Sequence, residues 1–157
     1  MKSAIIALIL TGLAQPAIAL SCLQPDALRL YIEARDSTDL YSLVIGRITA
    51  DGPIALPEAA PAGSTAKPAE TTVTLTGRAL TPEGFKSGFS REVTLSLTCL
   101  SVWCAAPPPE GDEIFAALRH DGDARLLSLS PCPDNALPWN GDDEARILNC
   151  HLQKRCD

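Results

Sequence analysis

The sequence predicts a mainly β protein: a five-stranded antiparallel Greek-key barrel of the OB type, with a short N-terminal helix, a C-terminal helix and disulfide staples. Three observations predict it. Two stretches alternate apolar and polar residues with the period of a half-buried strand: Val73, Leu75 and Ala79 against Thr72, Thr74, Thr76 and Arg78, and Val93, Leu95, Leu97 and Cys99 against Thr94, Ser96 and Thr98. Gly46 interrupts the strand-like run "LYSLVIGRITA", residues 40–50, where a bulge or sharp bend serves a closing barrel. Six cysteines, an even set, all follow an export-type N-terminal segment and read as three disulfides in an oxidising compartment.

That N-terminal segment comes first. Lys2 and the run "AIIALILTGLAQPAIA" have the charge, apolar stretch and small-residue end of a secretory signal peptide. Thr11, Gly12, Gln15 and Pro16 break the run too early for a membrane span, and no later stretch approaches one. Cleavage after Ala19 or after Ser21 satisfies the small-x-small preference. The first sets the boundaries at 1–19 and 20–157; the second makes Cys22 the N-terminal residue. A lipoprotein reading wants an aliphatic residue three before Cys22, where Ala19 stands. Export to a periplasm or the extracellular space is the expectation.

"PDALRLYIEA" begins with Pro25, suited to a first helical turn, and Asp26, favoured there by the helix dipole. Ala27, Leu30, Tyr31 and Ala34 form its apolar stripe. After the 40–50 strand, residues 51–70 are rich in Pro, Ala and Gly without periodicity, which predicts a mobile loop. "TPEGFKSGFS" then links the two alternating strands as a hairpin. "EIFAALRH" and "ARLLSLS" make a second hairpin, with Asp121 and Gly122 as positive-φ turn residues. "NGDDEARILNCHLQKRC" has acids in its first turn and bases in its last, predicting a helix over 141–156 with Ile147, Leu148 and Leu152 facing the body. Cys150 and Cys156 can bridge each other across its end or tie it elsewhere.

Composition narrows the function classes. The chain has 13 basic and 19 acidic residues, a net charge of −6 that becomes −7 once Lys2 is removed. No basic cluster exceeds two residues, which argues against nucleic acid or anionic lipid as partner. Loss of 19 of the 157 residues leaves 138, enough to bury roughly two thirds of the unfolded surface in one core. The cysteines lack C-x2-C spacing, and His120 and His151 do not complete a finger-like set, so no metal is expected. No G-x-S-x-G, H-E-x-x-H or phosphate-cradling glycine loop is present. "HDGD" and "NGDDE" lack the spacing of a calcium loop. The expectation is a monomeric non-enzyme with no catalytic residue and no cofactor. Both histidines read as solvated.

The order helix, bent strand, long loop, hairpin, hairpin, helix resembles the netrin-like module, the fold of the N-terminal domain of tissue inhibitors of metalloproteinases. The residues that carry the resemblance are "SCLQP" inside the mature N-terminus, "YSLVIGRI", "LSVWCA" and "LSPCPDNALPW", over residues 22–139. The resemblance implies that the N-terminal region is bridged to later loops, Cys22 to Cys132 or Cys104. The preferred set is Cys22–Cys132, Cys99–Cys104 and Cys150–Cys156, with Cys22–Cys104 and Cys99–Cys132 as the alternative. It also implies a protein partner, such as a metalloprotease whose zinc is chelated by the free amine of an N-terminal cysteine. The family opens with Cys-x-Cys, whereas this chain has Cys22 alone.

Cys22, Leu23, Phe85, Phe89 and Trp103 are the candidate partner-binding residues. Phe85 and Phe89 bracket the hairpin "GFKSGF", either as exposed anchors or as a cap over an open barrel end. Trp103 and Trp139 lie near cysteines and are expected to pack on disulfides. The competing reading is an envelope structural or small-ligand-binding domain whose Thr72, Thr74 and Thr76 line a concave barrel face.

Overall fold

The structure, a computed structural model, describes residues 21–61 and 66–156. The signal-peptide reading over 1–19 lies outside the described residues. The elements run α1 (Ala27–Asp36), β1 (Tyr41–Thr49), β2 (Ala69–Thr81), β3 (Gly84–Leu97), β4 (Cys99–Leu100), β5 (Trp103–Cys104), β6 (Ile114–Asp121), β7 (Ala124–Leu129), β8 (Ala136–Pro138) and α2 (Gly141–Gln153).

The fold is a closed five-stranded OB-like barrel with two helices and three disulfides. Around the barrel the order is β1, β2, β3, β7, β6, and β6 returns to β1. Four seams are antiparallel; β3 and β7 close the fifth in parallel, from Thr94 opposite Leu126 to Leu97 opposite Leu129. β1 is shared by both halves of the wall, pairing with β2 on one edge and β6 on the other. At its bend Gly46 faces Gly77. A Cβ on Gly46 would strike the Thr76 carbonyl oxygen, and one on Gly77 would strike that of Ile45, so only glycine permits this approach.

Alternation sorts the apolar residues into two cores. Val44, Val73, Leu75, Val93, Leu95, Ala116, Leu118 and Leu127 fill the barrel. Leu43, Ile45, Phe115 and Ala117 point outward onto the helices, meeting Leu28, Leu30, Tyr31 and Ile147. β6 is buried on both faces, the reason "IFAAL" is apolar throughout. Phe85, Phe115 and Trp139 pack mutually, with ring centroids 5.7–6.2 Å apart.

Several expectations need correction. Pro25 precedes the first helix; Asp26 is its N-cap, accepting the Arg29 N–H at 2.8 Å. "TPEGFKSGFS" is not a linker, because β2 runs to Thr81 and β3 starts at Gly84. A register shift at Ala79 and Leu80 absorbs the extra residue, Lys86, and hides the alternation. The 51–70 segment gives Ala69 and Glu70 to β2, and its Ile54 packs on the barrel core. In the second hairpin only Gly122 has positive φ, +59°, and Asp121 ends β6. The last helix stops at Gln153 because Lys154 turns left-handed, φ +60°, which lets Cys156 fold back to Cys150. Leu152 is 52% exposed: the buried face carries Ile147 and Cys150, and Leu152 lies outside that stripe.

The disulfides are Cys22–Cys132, Cys99–Cys104 and Cys150–Cys156. The Arg35 guanidinium lies over Tyr31 and within 3.5 Å of both sulfurs of the last bridge. Three disulfides fit a protein exported to an oxidising compartment. Among the described residues no helix is long and apolar enough to cross a membrane.

Candidate functional site

β3 and β7, running in parallel, finish at the same end of the barrel, and the Thr98 N–H and hydroxyl both donate to the Leu129 carbonyl, at 3.0 and 3.1 Å. The chain leaving β3 forms β4 and β5, a finger whose two strands pair Cys99 with Cys104 and Leu100 with Trp103. The Cys99–Cys104 disulfide closes its base. Ser101 turns the tip with φ +58°, a backbone region few serines enter. Three large apolar side chains stand out from this ring: Leu100 (58% exposed), Val102 (66%) and Trp103 (48%). The Cys99 sulfur lies 3.6 Å from the Glu58 carbonyl oxygen, a contact rather than a hydrogen bond because a disulfide sulfur has no proton.

The chain leaving β7 reaches Cys132, which holds Cys22. The bridge fixes an extended N-terminal segment to the barrel end, and Leu23 on it is 79% exposed. A cleft of about 300 Å³ lies between this segment, the start of α1 and Asp134. Partial burial raises the Asp26 carboxyl, but the Arg29 N–H and the Arg146 guanidinium, 2.9 Å away, more than offset it and hold the group below its ordinary range. A second cleft, of about 320 Å³, is walled by Pro108, Pro109, Ile114, Leu129, Pro131 and Pro138. Pro133, Asp134 and Leu137 line both clefts, so the two adjoin across these residues.

Of the candidate partner-binding residues, Cys22, Leu23 and Trp103 therefore share one end of the barrel. Phe85 does not belong with them. It sits at the opposite end of β3, 3% exposed, under Phe115 and Trp139, so its reading as an exposed anchor is corrected to a core residue. Phe89 is a half-buried strand residue packed on the barrel core. Trp139 packs on aromatic rings rather than on a disulfide. The sequence reading missed Leu100, Val102 and the proline walls. The signal for the finger was "CLSVWC", four residues with three apolar ones held between two cysteines.

The histidines are more engaged than expected. His151 Nε2 contacts the Thr81 carbonyl at 3.0 Å and therefore donates, leaving Nδ1 to accept from the Tyr31 hydroxyl at 3.1 Å. His120 Nε2 pairs with Ser42 Oγ at 2.8 Å. Partial burial and the nearby Arg125 charge push the His120 imidazole below its ordinary value. A serine paired with an imidazole is the start of a nucleophile, but neither residue lines the clefts described above. The pair ties β1 to β6. Among the described residues no three His, Cys, Asp or Glu side chains are grouped to hold a metal ion.

In comparisons with protein-family models, curated proteins and solved structures, nothing matches the chain. Its own geometry carries the functional argument.

Proposed function

We propose that the chain is an exported protein-binding module of the netrin-like type, acting outside the cytosol through the end of the barrel where Leu23 and the finger project. One observation carries this reading. Two of the three disulfides pin segments whose large apolar side chains stay in solvent, Leu23 on one, Leu100, Val102 and Trp103 on the other. Side chains on a covalently closed mount lose less freedom on docking than the same groups on a free loop, so exposure there favours association. Exposed apolar clusters of this kind mark interaction surfaces.

A ligand-binding barrel face finds less support. The barrel is filled by its own side chains, and the two clefts lie at its end rather than beside Thr72, Thr74 and Thr76. Metalloprotease inhibition stands as a narrower form of the protein-binding reading. It requires maturation at Cys22, because a Ser21–Cys22 peptide bond converts the chelating amine into an amide. N-terminal sequencing of the exported protein decides that form: a chain starting at Leu20 ends it.

The broader reading is tested with a photocrosslinking amino acid placed at Leu23, at Val102 or at Thr72 in the exported protein. A discrete adduct with one other protein from Leu23 and Val102, absent from Thr72, is the expected result. No adduct, or the same adducts from all three positions, overturns it.

A further inference from the structure

The second cleft contains a sheet edge. β8 ends the strand order and, among the described residues, pairs with β6 alone, Ala136 opposite Ala116, Leu137 opposite Phe115 and Pro138 opposite Ile114. The bonds flanking this short ladder fix which groups it uses. The Ala117 N–H donates to the Asn135 carbonyl at 2.8 Å, and the Trp139 N–H donates to that of Glu113 at 2.9 Å. In an antiparallel ladder bonded pairs alternate with unbonded ones. Leu137 therefore bonds toward β6, while the Ala136 N–H and the carbonyls of Ala136 and Pro138 point away from it. Both residues line the apolar cleft, Ala136 half-buried and Pro138 exposed.

The charges around the clefts are one-sided. Among the described residues that line them, Asp26, Glu33, Asp112 and Asp134 face a single base, Arg29. Arg146 is paired with Asp26, and Asp134 accepts backbone N–H groups of Ser130 and Asn135. Among the described residues the Glu33 and Asp112 carboxylates have no ion-pair or hydrogen-bond partner.

We propose that the outer edge of β8 receives an extended aliphatic segment of a partner protein, flanked by Lys or Arg, as an added strand. The Ala136 N–H and two carbonyls supply the main-chain ladder, the proline walls of the cleft take alternate side chains, and the acidic rim meets the basic flanks. Three main-chain groups make a short ladder, and the apolar walls of the cleft add the contact area it lacks. The inference rests on the protein-binding reading and names the partner's chemistry.

The test is a titration of the isotope-labelled, fully oxidised mature chain with two peptides, Lys-Val-Thr-Val-Thr-Val-Lys and its counterpart with glutamate at both ends, followed by amide chemical shifts. The lysine peptide is expected to move the amides of Asn135, Ala136 and Leu137 to saturation, with at least about tenfold higher affinity than the glutamate peptide. Ala136→Pro removes an N–H that the sheet does not use and places a ring on the outer edge, while the bonds of Asn135 and Leu137 to β6 stay in place; an edge strand tolerates proline at such a position. It is expected to abolish the shifts of the Asn135 and Leu137 amides at an unchanged melting temperature. Should that variant fail to fold, N-methylation of the lysine peptide's valines removes the donors to Ala136 and Pro138 without touching the protein, and binding should drop by the same factor. Equal binding of both peptides, no binding up to millimolar concentration, shifts confined to other strands, or indifference to Ala136→Pro and to N-methylation each overturn the proposal. Persistence of the Leu23 and Val102 crosslinks alongside such a failure would leave the protein-binding reading standing, and their absence alone would remove it.

Discussion

Two regions of the molecule are held by different means. Under α1 and α2, Phe85, Phe115 and Trp139 pack together, and shape follows from burial. At the loop end, where β3 and β7 finish, prolines and two disulfides hold segments that keep Leu23, Leu100, Val102 and Trp103 in solvent. Burial cannot position a side chain that stays in water. A surface meant to remain exposed and yet fixed therefore needs covalent or φ-restricted support, and the loop end has both.

The largest test of this contrast is removal of the long clamp. Cys22 and Cys132 are 110 residues apart, so Cys22→Ser with Cys132→Ser should lower unfolding free energy by about 5 kcal/mol in the chain-entropy limit. Guanidinium unfolding measures it, and a loss below about 1 kcal/mol would mean that burial holds this end too. The short clamp sharpens the point. With a separation of 5, Cys99→Ser with Cys104→Ser should forfeit only about 2 kcal/mol by the same relation, while the Val102 crosslink disappears. Stability and binding would then separate.

A smaller effect is expected at Asp26, which caps α1 and joins it to α2 through Arg146. Asp26→Ala should cost about 1 kcal/mol at neutral pH, mostly through the lost cap. Its folded carboxyl lies below the ordinary range, so the wild type's advantage is full above about pH 4 and is lost as pH falls through the lowered value. Melting curves of both proteins should therefore converge in acid.

The smallest is at His120, on the barrel wall away from the clefts. Its depressed value means that the unfolded chain binds the proton more readily. Stability is full above about pH 6.5 and declines as pH drops below it, levelling off under the folded value. His120→Gln should flatten that limb of the melting temperature against pH without altering crosslinking from Val102.

Much of the barrel was legible because period-two alternation survives wherever one strand face is solvated, as in Val73 to Arg78 and Val93 to Thr98. It failed at "GFKSGF", where a register shift and two glycines break the period, and Phe85 was left open between an exposed anchor and a cap over the core for that reason. Leu152 was misread because an apolar residue one step off a helical stripe looks like part of it. The site was less legible than the fold. Cys22, Leu23 and Trp103 were named from the sequence and lie at one end of the barrel, but the meeting of Cys22 with Cys132 came from a family resemblance, since pairing across 110 residues leaves no local pattern. The free edge of β8 is invisible in "ALP", because an unused N–H depends on which neighbours a strand lacks.

The long clamp also has a consequence for how the chain matures. A polypeptide delivered N-terminus first presents Cys22, then Cys99 and Cys104, and only afterwards Cys132. At about 5–20 residues per second, the 110 residues separating the native partners take roughly 6–20 s to follow, within the time in which thiols begin to oxidise. An oxidase joining cysteines in order of arrival would bond Cys22 to Cys99 and leave Cys104 for Cys132. The native set is reached only if the barrel closes before oxidation or if a disulfide isomerase shuffles the early bonds. Yield from such a chain is thus governed by its surroundings as well as by its own energetics: a host rich in oxidase and poor in isomerase would accumulate a covalently scrambled barrel end on an otherwise correct sequence.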